Sequence, residues 1–93
     1  MTECRAQMRW MTAAEGGRAR PPTGPRYSAV ARFEKLKDLW PAEAWSVVIY
    51  IGEDSVNVLV SPLVDSAPAD LFVAGSRFDL FEGDSKVAEG QIV

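Results

Sequence analysis

The sequence contains no histidine and a single cysteine, Cys4, among its 93 residues. Without histidine, the chain has neither the Ser-His and Cys-His pairs of nucleophilic catalysis nor a zinc site built on imidazole. A lone cysteine excludes an intramolecular disulfide and is typical of a protein from a reducing compartment. We therefore expect a cytoplasmic protein in which Cys4 packs as a small apolar side chain.

Long uncharged runs are also missing from the chain. The longest extends from Ser55 to Val64, far short of the roughly 20 apolar residues that span a bilayer. Near the first residue, Glu3, Arg5 and Arg9 interrupt the apolar positions, so this segment lacks the apolar centre of a secretory signal. We expect neither a membrane-spanning segment nor a targeting segment.

Motifs for nucleotide or metal binding are absent as well. The chain lacks the Gly-x-x-x-x-Gly-Lys sequence that holds nucleotide phosphates, and the acids from Asp79 to Asp84 lack the spacing of a calcium loop. The carboxylate pairs Glu53-Asp54 and Glu82/Asp84 are expected to be solvated turn residues, not an acid–base pair. We predict a protein that is not an enzyme, with no catalytic residue, metal or cofactor.

The formal net charge of −3 conceals two parts of opposite sign. Residues 1–37 contain eight of the ten basic residues and three acids, giving +5, whereas residues 38–93 contain two basic and ten acidic residues, giving −8. Such asymmetry points to an electrostatic partner. The alternative is that the strands interleave in space, so that the two signs cancel.

Alternation of apolar and polar residues dominates the pattern, which is typical of half-buried strands. Pairing across the turns at 52–55 and 83–85 predicts two hairpins, one from the third and fourth strands and one from the last two. Six short strands without a sustained helix predict one domain over residues 1–93, an all-β antiparallel barrel or sandwich, and a barrel has the advantage of leaving no exposed edge. The predicted strands are Glu3–Met11, Tyr27–Phe33, Trp45–Ile51, Val56–Leu63, Ser76–Glu82 and Lys86–Val93.

Two connections contain large apolar residues. Over residues 33–40 the apolar spacing of three and four fits a short helix before Pro41, and it fits equally a charged loop in which Trp40 covers a barrel end. Leu71 and Phe72 are expected to plug an open end.

The remaining large side chains are assigned by alternation. Trp10 and Trp45 are expected to pack in the core. Val48 and Tyr50 face away from the inward side of their strand, where they form an apolar patch for a partner or pack under a loop.

Two segments carry a family pattern. The first is Glu15-Gly16-Gly17-Arg18, followed by prolines at 21 and 22 and by Gly24 to Tyr27; the second is Gly75-Ser76-Arg77-Phe78, followed by Glu82-Gly83 and by Val87 to Val93. Together they resemble the C-terminal β-barrel, the third domain, of elongation factor Tu. The resemblance implies a closed six-stranded antiparallel barrel.

The resemblance also implies a binding surface, because in the elongation factors this barrel helps to grip the T-stem backbone of aminoacyl-tRNA and contacts protein partners. The positions that match the family motifs are Arg18, Arg26 and Lys86, and Arg20 forms a basic cluster with Arg18 and Arg26 in the same loop. For Arg18 the alternative is intramolecular, a pairing with Glu15 or with loop carbonyls that holds the turn. The expected binding residues are Gly16, Gly17, Arg18, Arg20, Arg26 and Lys86.

We therefore predict a non-enzymatic binding module that presents residues 15–26 to a macromolecule. A protein partner is favoured over RNA, because phosphate contacts need many basic residues and the second part of the chain is acidic. One alternative is RNA binding to a tRNA-like backbone through the 15–26 loop. Another is an immunity- or inhibitor-type protein that uses its acidic half against a basic target.

Overall fold

The computed structural model describes residues 3–16, 25–39, 44–52 and 54–93. The six predicted strands are confirmed, and each boundary lies within one residue of its predicted position. Short 3₁₀ segments cover Ala13–Glu15, Glu34–Leu39 and Ala69–Leu71. The strands are β1 (Cys4–Trp10), β2 (Arg26–Phe33), β3 (Trp45–Tyr50), β4 (Asn57–Pro62), β5 (Arg77–Glu82) and β6 (Ser85–Ile92).

These strands form a closed barrel in the order β1-β4-β3-β2-β5-β6, and every neighbouring pair is antiparallel. The two predicted hairpins are present as β3–β4 and β5–β6. The barrel closes through pairs of strands that are distant in sequence, β1 with β4, β1 with β6, and β2 with β5. Each of the six described strands is therefore paired along both of its edges.

The core fills the barrel with the side chains that alternation places inward. On β1, Ala6 and Met8 are buried whereas Arg5, Gln7 and Arg9 are exposed. A period of two also holds on β2 and β5, since successive residues point to opposite faces, whereas β3, β4 and β6 each bury adjacent residues as well. The strand residues of the core cluster are Ala6, Met8, Ala29, Ala31, Phe33, Val47, Ile49, Val58, Val60, Phe78, Leu80, Val87, Ala88 and Ile92.

One inward position on β6 is a glycine, Gly90, and its lack of a side chain makes room for an aromatic ring. Gly90 is the cross-strand partner of Phe78 on β5. A Cβ atom at this position would lie 2.5 Å from Cζ of Phe78 and 2.8 Å from Sδ of Met8. The Phe78 ring therefore occupies the space directly over the Gly90 backbone.

The end of the barrel where β2 finishes is covered by side chains from the connection between β4 and β5. Leu71 is fully buried in the core, and Phe72 packs edge-on against Phe33 with 5.3 Å between ring centroids, which confirms the predicted plug. The Cys4 thiol, half-buried against the core, donates to the Phe72 carbonyl at 3.2 Å. Elsewhere Trp10 packs against the core and donates from Nε1 to the Ser55 carbonyl at 2.7 Å.

The segment after β2 follows the helical alternative only in part. Glu34–Leu39 is 3₁₀ in conformation, but Leu36 leaves helical geometry at φ −115° and ψ 15° and packs against the core. Trp45 packs against the core as predicted. Trp40 lies outside the described residues, so its position remains a prediction. Within the described ranges, no helix is long and apolar enough to cross a bilayer.

Candidate interaction surface

The outer wall of the barrel carries one charged residue on each of four neighbouring strands. Arg9 on β1, Glu89 on β6, Asp79 on β5 and Arg32 on β2 are successive cross-strand partners, and we name them the charged row. Nη2 of Arg9 lies 3.0 Å from Oε1 of Glu89, and Arg32 pairs with Asp79. Both arginines of this row are therefore bound to carboxylates of the same chain.

Lys86 completes the charged row. Its ammonium lies 2.7 Å from Glu89 and 3.4 Å from Asp79. The hydrogen bond to Glu89 raises the pKa of Lys86, and the same bond, helped by Arg9, holds the pKa of Glu89 below its ordinary value. Lys86 was expected to contact a partner, but in the structure its ammonium is engaged by two carboxylates of the barrel.

The charged row also bears on the division of charge along the sequence. Arg9 and Arg32 belong to the basic first part, whereas Glu89 and Asp79 belong to the acidic second part. The paired residues lie 80 and 47 positions apart in the sequence. For these residues, the strands interleave and the opposite charges cancel.

A second row crosses the wall on the other side of β1. Arg5 on β1, Leu59 on β4, Tyr50 on β3 and Arg26 on β2 are successive cross-strand partners, and we name them the arginine-flanked row. Leu59 is 38% exposed, both arginines are exposed, and Tyr50 is half-buried. The Arg26 guanidinium lies over the Tyr50 ring, 5.7 Å from its centroid, a cation–π geometry.

The arginine-flanked row differs from the charged row because its arginines have no carboxylate partners among the described residues. Among the residues that the structure describes, no carboxylate pairs with Arg5 or Arg26. Glu3 is exposed two positions before Arg5 on β1 but makes no ion pair with it. Beside Leu59 the wall forms an open depression of about 680 Å³, lined in part by Arg5, Tyr50 and Leu59. Within the described part of the chain, the row thus offers two positive charges without a carboxylate partner around exposed apolar surface.

The two outward residues of β3 have different environments. Val48 is 3% exposed and lies outside the central core cluster, so of the two alternatives for this residue the exposed patch is excluded. Its cross-strand neighbours on the outer face are Ser28 and Ser61. Tyr50 remains partly exposed, which leaves it as the aromatic surface residue of this strand.

The predicted glycine turn is described only at its beginning. Gly16 has φ +87°, a left-handed conformation that favours glycine, and it ends the 3₁₀ segment Ala13–Glu15. The Glu15 carboxylate accepts from the Thr12 amide at 3.0 Å and lies 3.3 Å from Arg9, and these contacts, the Thr12 amide above all, lower the pKa of Glu15. The Glu15 carboxylate is therefore already bound by the Thr12 amide and by Arg9. Gly17, Arg18 and Arg20 lie outside the described residues.

The structure does not gather the described predicted residues into one cluster. Arg26 belongs to the arginine-flanked row, Lys86 to the charged row, and Gly16 to a turn beside Arg9. Arg5 and Leu59 were missed by sequence reasoning. Alternation places Arg5 outward, but only the register between β1 and β4 shows that it faces Leu59.

The acidic turn after β3 is structural. Oδ1 of Asp54 accepts from the amides of Asn57 at 2.6 Å and Val56 at 2.9 Å. These two hydrogen bonds lower the pKa of Asp54 and hold the turn that leads into β4. The described residues contain no group of histidine, cysteine, aspartate or glutamate side chains arranged to hold a metal ion.

No family model, curated protein or solved structure matches the chain. The proposal for its function therefore rests on the surface chemistry of the barrel. On that surface, the arginine-flanked row combines exposed aliphatic and aromatic side chains with two positive charges that the described residues leave uncompensated.

Proposed function

We propose that this chain is a non-enzymatic protein-binding module whose contact surface is the arginine-flanked row. The observation that carries the proposal is the contrast between two pairs of arginines on one wall. Arg9 and Arg32 pair with carboxylates of the chain, whereas Arg5 and Arg26 have no carboxylate partner among the described residues. Uncompensated guanidinium groups beside apolar surface suit a partner that supplies the carboxylates.

The composition of the row supports a protein partner. Tyrosine and arginine are enriched at the energetically important centres of protein interfaces. The Tyr50 ring already holds Arg26 in place, which lowers the entropy lost when the guanidinium forms directed hydrogen bonds. Leu59 adds exposed apolar area between Arg5 and Tyr50.

RNA is the weaker candidate for the same surface. Binding to a nucleic acid backbone depends on many phosphate contacts, and the arginine-flanked row has two positive charges in a chain of formal charge −3. Base stacking needs an open aromatic face, and Arg26 lies over the ring of Tyr50. For the acidic alternative, Asp54, Asp79 and Glu89 are poor contact residues, because their carboxylates are already engaged within the barrel.

The relationship to the third domain of elongation factor Tu is part of the proposal. It is supported by the closed six-stranded antiparallel barrel and by three glycines with positive φ, Gly16, Gly75 and Gly83. Each of these glycines stands at a glycine position of the motifs that carry the resemblance. A cytoplasmic location is proposed on the lone cysteine, whose thiol is bound to a carbonyl of the barrel.

The proposal is tested by a photo-reactive amino acid placed at position 59 of the full chain, expressed in its native cells. We expect illumination to give a protein adduct of defined mass that survives ribonuclease treatment. The matched control position is Leu39, which is 53% exposed and follows the far end of β2 from Arg26. A probe at Leu39 should give no such adduct.

Two results would overturn the proposal. One is an adduct at position 59 that disappears with ribonuclease, which would favour the RNA alternative. The other is equal labelling at positions 59 and 39, or none at either, which would remove the arginine-flanked row as a specific surface.

A further inference from the structure

The spacing of the two arginines in the arginine-flanked row carries information about what binds there. Arg5 stands on β1 and Arg26 on β2, and β4 and β3 lie between them. Neighbouring strands are about 4.8 Å apart, so the path along the barrel wall from one arginine position to the other covers three intervals, or about 14 Å. Leu59 and Tyr50 occupy the two positions between them.

We infer that the arginine-flanked row binds an extended acidic segment in which two carboxylate residues lie four positions apart with an apolar residue midway. This inference rests on the proposed function and names the partner's chemistry. An extended chain advances about 3.4 Å per residue, so four residues span about 14 Å. The segment crosses the strands of the barrel, with one carboxylate at Arg5 and the other at Arg26.

The alternation of side chains along an extended segment also favours a spacing of four residues between the two carboxylates. In an extended segment, residues i, i+2 and i+4 project from one face. Acids at i and i+4 therefore face the wall together with the residue at i+2. That middle side chain meets Leu59 and the Tyr50 ring, which supply apolar contact.

The charged row shows how arginines at equivalent positions on the outer wall obtain carboxylate partners. Nε and Nη2 of Arg9 both lie near Oε1 of Glu89, at 3.1 and 3.0 Å, and Arg32 pairs with Asp79. Each guanidinium there takes a carboxylate from a neighbouring strand. In the arginine-flanked row the corresponding neighbours are Leu59 and Tyr50, so the carboxylates come from the bound segment.

Contacts in this arrangement are made by side chains alone. The barrel is closed, and the segment runs across its strands, so it does not add a strand to the sheet. Affinity therefore depends on both guanidiniums at once. Because each guanidinium forms charge-assisted hydrogen bonds to one carboxylate of the segment, loss of either arginine is expected to weaken binding about tenfold.

The experiment titrates the full chain with fluorescent synthetic peptides of identical composition at low salt, followed by anisotropy. Each peptide contains two glutamates and one leucine on an extended threonine-rich backbone, with the glutamates at i and i+2, i and i+4, or i and i+6. We expect the i, i+4 peptide to bind at least tenfold more tightly than the others. Arg5→Gln and Arg26→Gln should each remove that preference, whereas Lys35→Gln, a cation outside both rows, should keep it.

Several outcomes would overturn the inference. Equal affinity for all three spacings would show simple charge attraction, and no binding of any peptide would exclude the acidic segment. Tighter binding of a phosphoserine peptide or of an RNA oligonucleotide would replace carboxylate by phosphate recognition. If the peptides fail while the photo-adduct at position 59 forms, the segment is wrong and the protein-binding surface stands; if both fail, the proposed function fails as well.

Discussion

Asp79 and Glu89 are direct cross-strand partners on β5 and β6, and the ammonium of Lys86 lies within 3.4 Å of both carboxylates. Like charges at directly opposed positions destabilise a sheet. In this barrel the two acids are compensated from three sides, by Lys86 and by the guanidiniums of Arg9 and Arg32. The charged row is therefore part of the barrel's own structure.

Replacing Lys86 tests this role. Lys86→Met removes the charge between the two carboxylates while keeping an unbranched apolar stem. We expect the free energy of unfolding to fall by about 0.5–1 kcal/mol, since the Lys86 side chain is one-third exposed and solvent screens its ion pairs. Urea denaturation measures the change.

The controls for Lys86 separate charge from packing. Lys86→Arg should retain most of the stability, and Lys86→Met should cost less when Asp79→Asn has already removed one of the opposed charges. An undiminished cost in the Asp79→Asn background would mean that Lys86 acts through packing and not through its charge.

Acid should weaken the charged row through Glu89. Lys86 and Arg9 hold the pKa of the folded Glu89 below its ordinary value, so its carboxylate contributes stability above the unfolded pKa of about 4.3. That contribution is lost as the pH falls through the folded pKa. We expect the difference in unfolding free energy between the natural chain and Glu89→Gln to be constant near neutral pH and to shrink below about pH 4. A difference that stays constant down to pH 3 would contradict the assignment.

Gly90 is expected to be intolerant of a side chain. A Cβ atom there would lie 2.5 Å from Phe78 Cζ, inside the core. Gly90→Ala should therefore lower the free energy of unfolding by about 1–3 kcal/mol through overpacking. Gly52→Ala is the matched control, because no atom lies within 4 Å of its added Cβ; it should change stability by less than about 0.5 kcal/mol. Equal effects at the two glycines would show that Phe78 has room to move.

The strands could be predicted from the sequence because alternation is a local signal. The run from Cys4 to Trp10 alternates between inward and outward residues, and turn residues mark where the last two strands begin and end. The hairpins follow from adjacency along the chain. The pairings β1–β6 and β2–β5 could not be predicted in the same way, since no local property of either strand specifies a partner so distant in sequence.

The candidate site depends on those distant pairings, which is why sequence reasoning found only part of it. Arg26 was identified through the family resemblance, and Tyr50 through the alternation of β3. Their contact with each other, and the position of Leu59 beside Arg5, require the register across four strands. Lys86 was assigned to a partner because its contact with Asp79 depends on the pairing of β5 with β6. Residues three apart on a regular strand point to opposite faces, so alternation does not predict its contact with Glu89 either.

The two rows lead to opposite expectations for paired substitutions. Arg5→Gln with Arg26→Gln should leave the unfolding midpoint nearly unchanged, because neither side chain pairs with a carboxylate of the described chain. Arg9→Gln with Arg32→Gln should lower the midpoint, because it leaves Glu89 and Asp79 opposed with Lys86 alone between them. Thermal denaturation at neutral pH compares the two double variants. A larger decrease in the unfolding midpoint for Arg5→Gln with Arg26→Gln would contradict the structural role assigned to the charged row.

The most direct test measures the yield of the photo-adduct at position 59 in these two double variants, at a temperature where both are folded. The arginine-flanked row predicts that Arg5→Gln with Arg26→Gln reduces the yield to background, whereas Arg9→Gln with Arg32→Gln retains it. Equal yields from the two variants, or loss only in the second, would contradict the claim that the uncompensated arginines bind the partner.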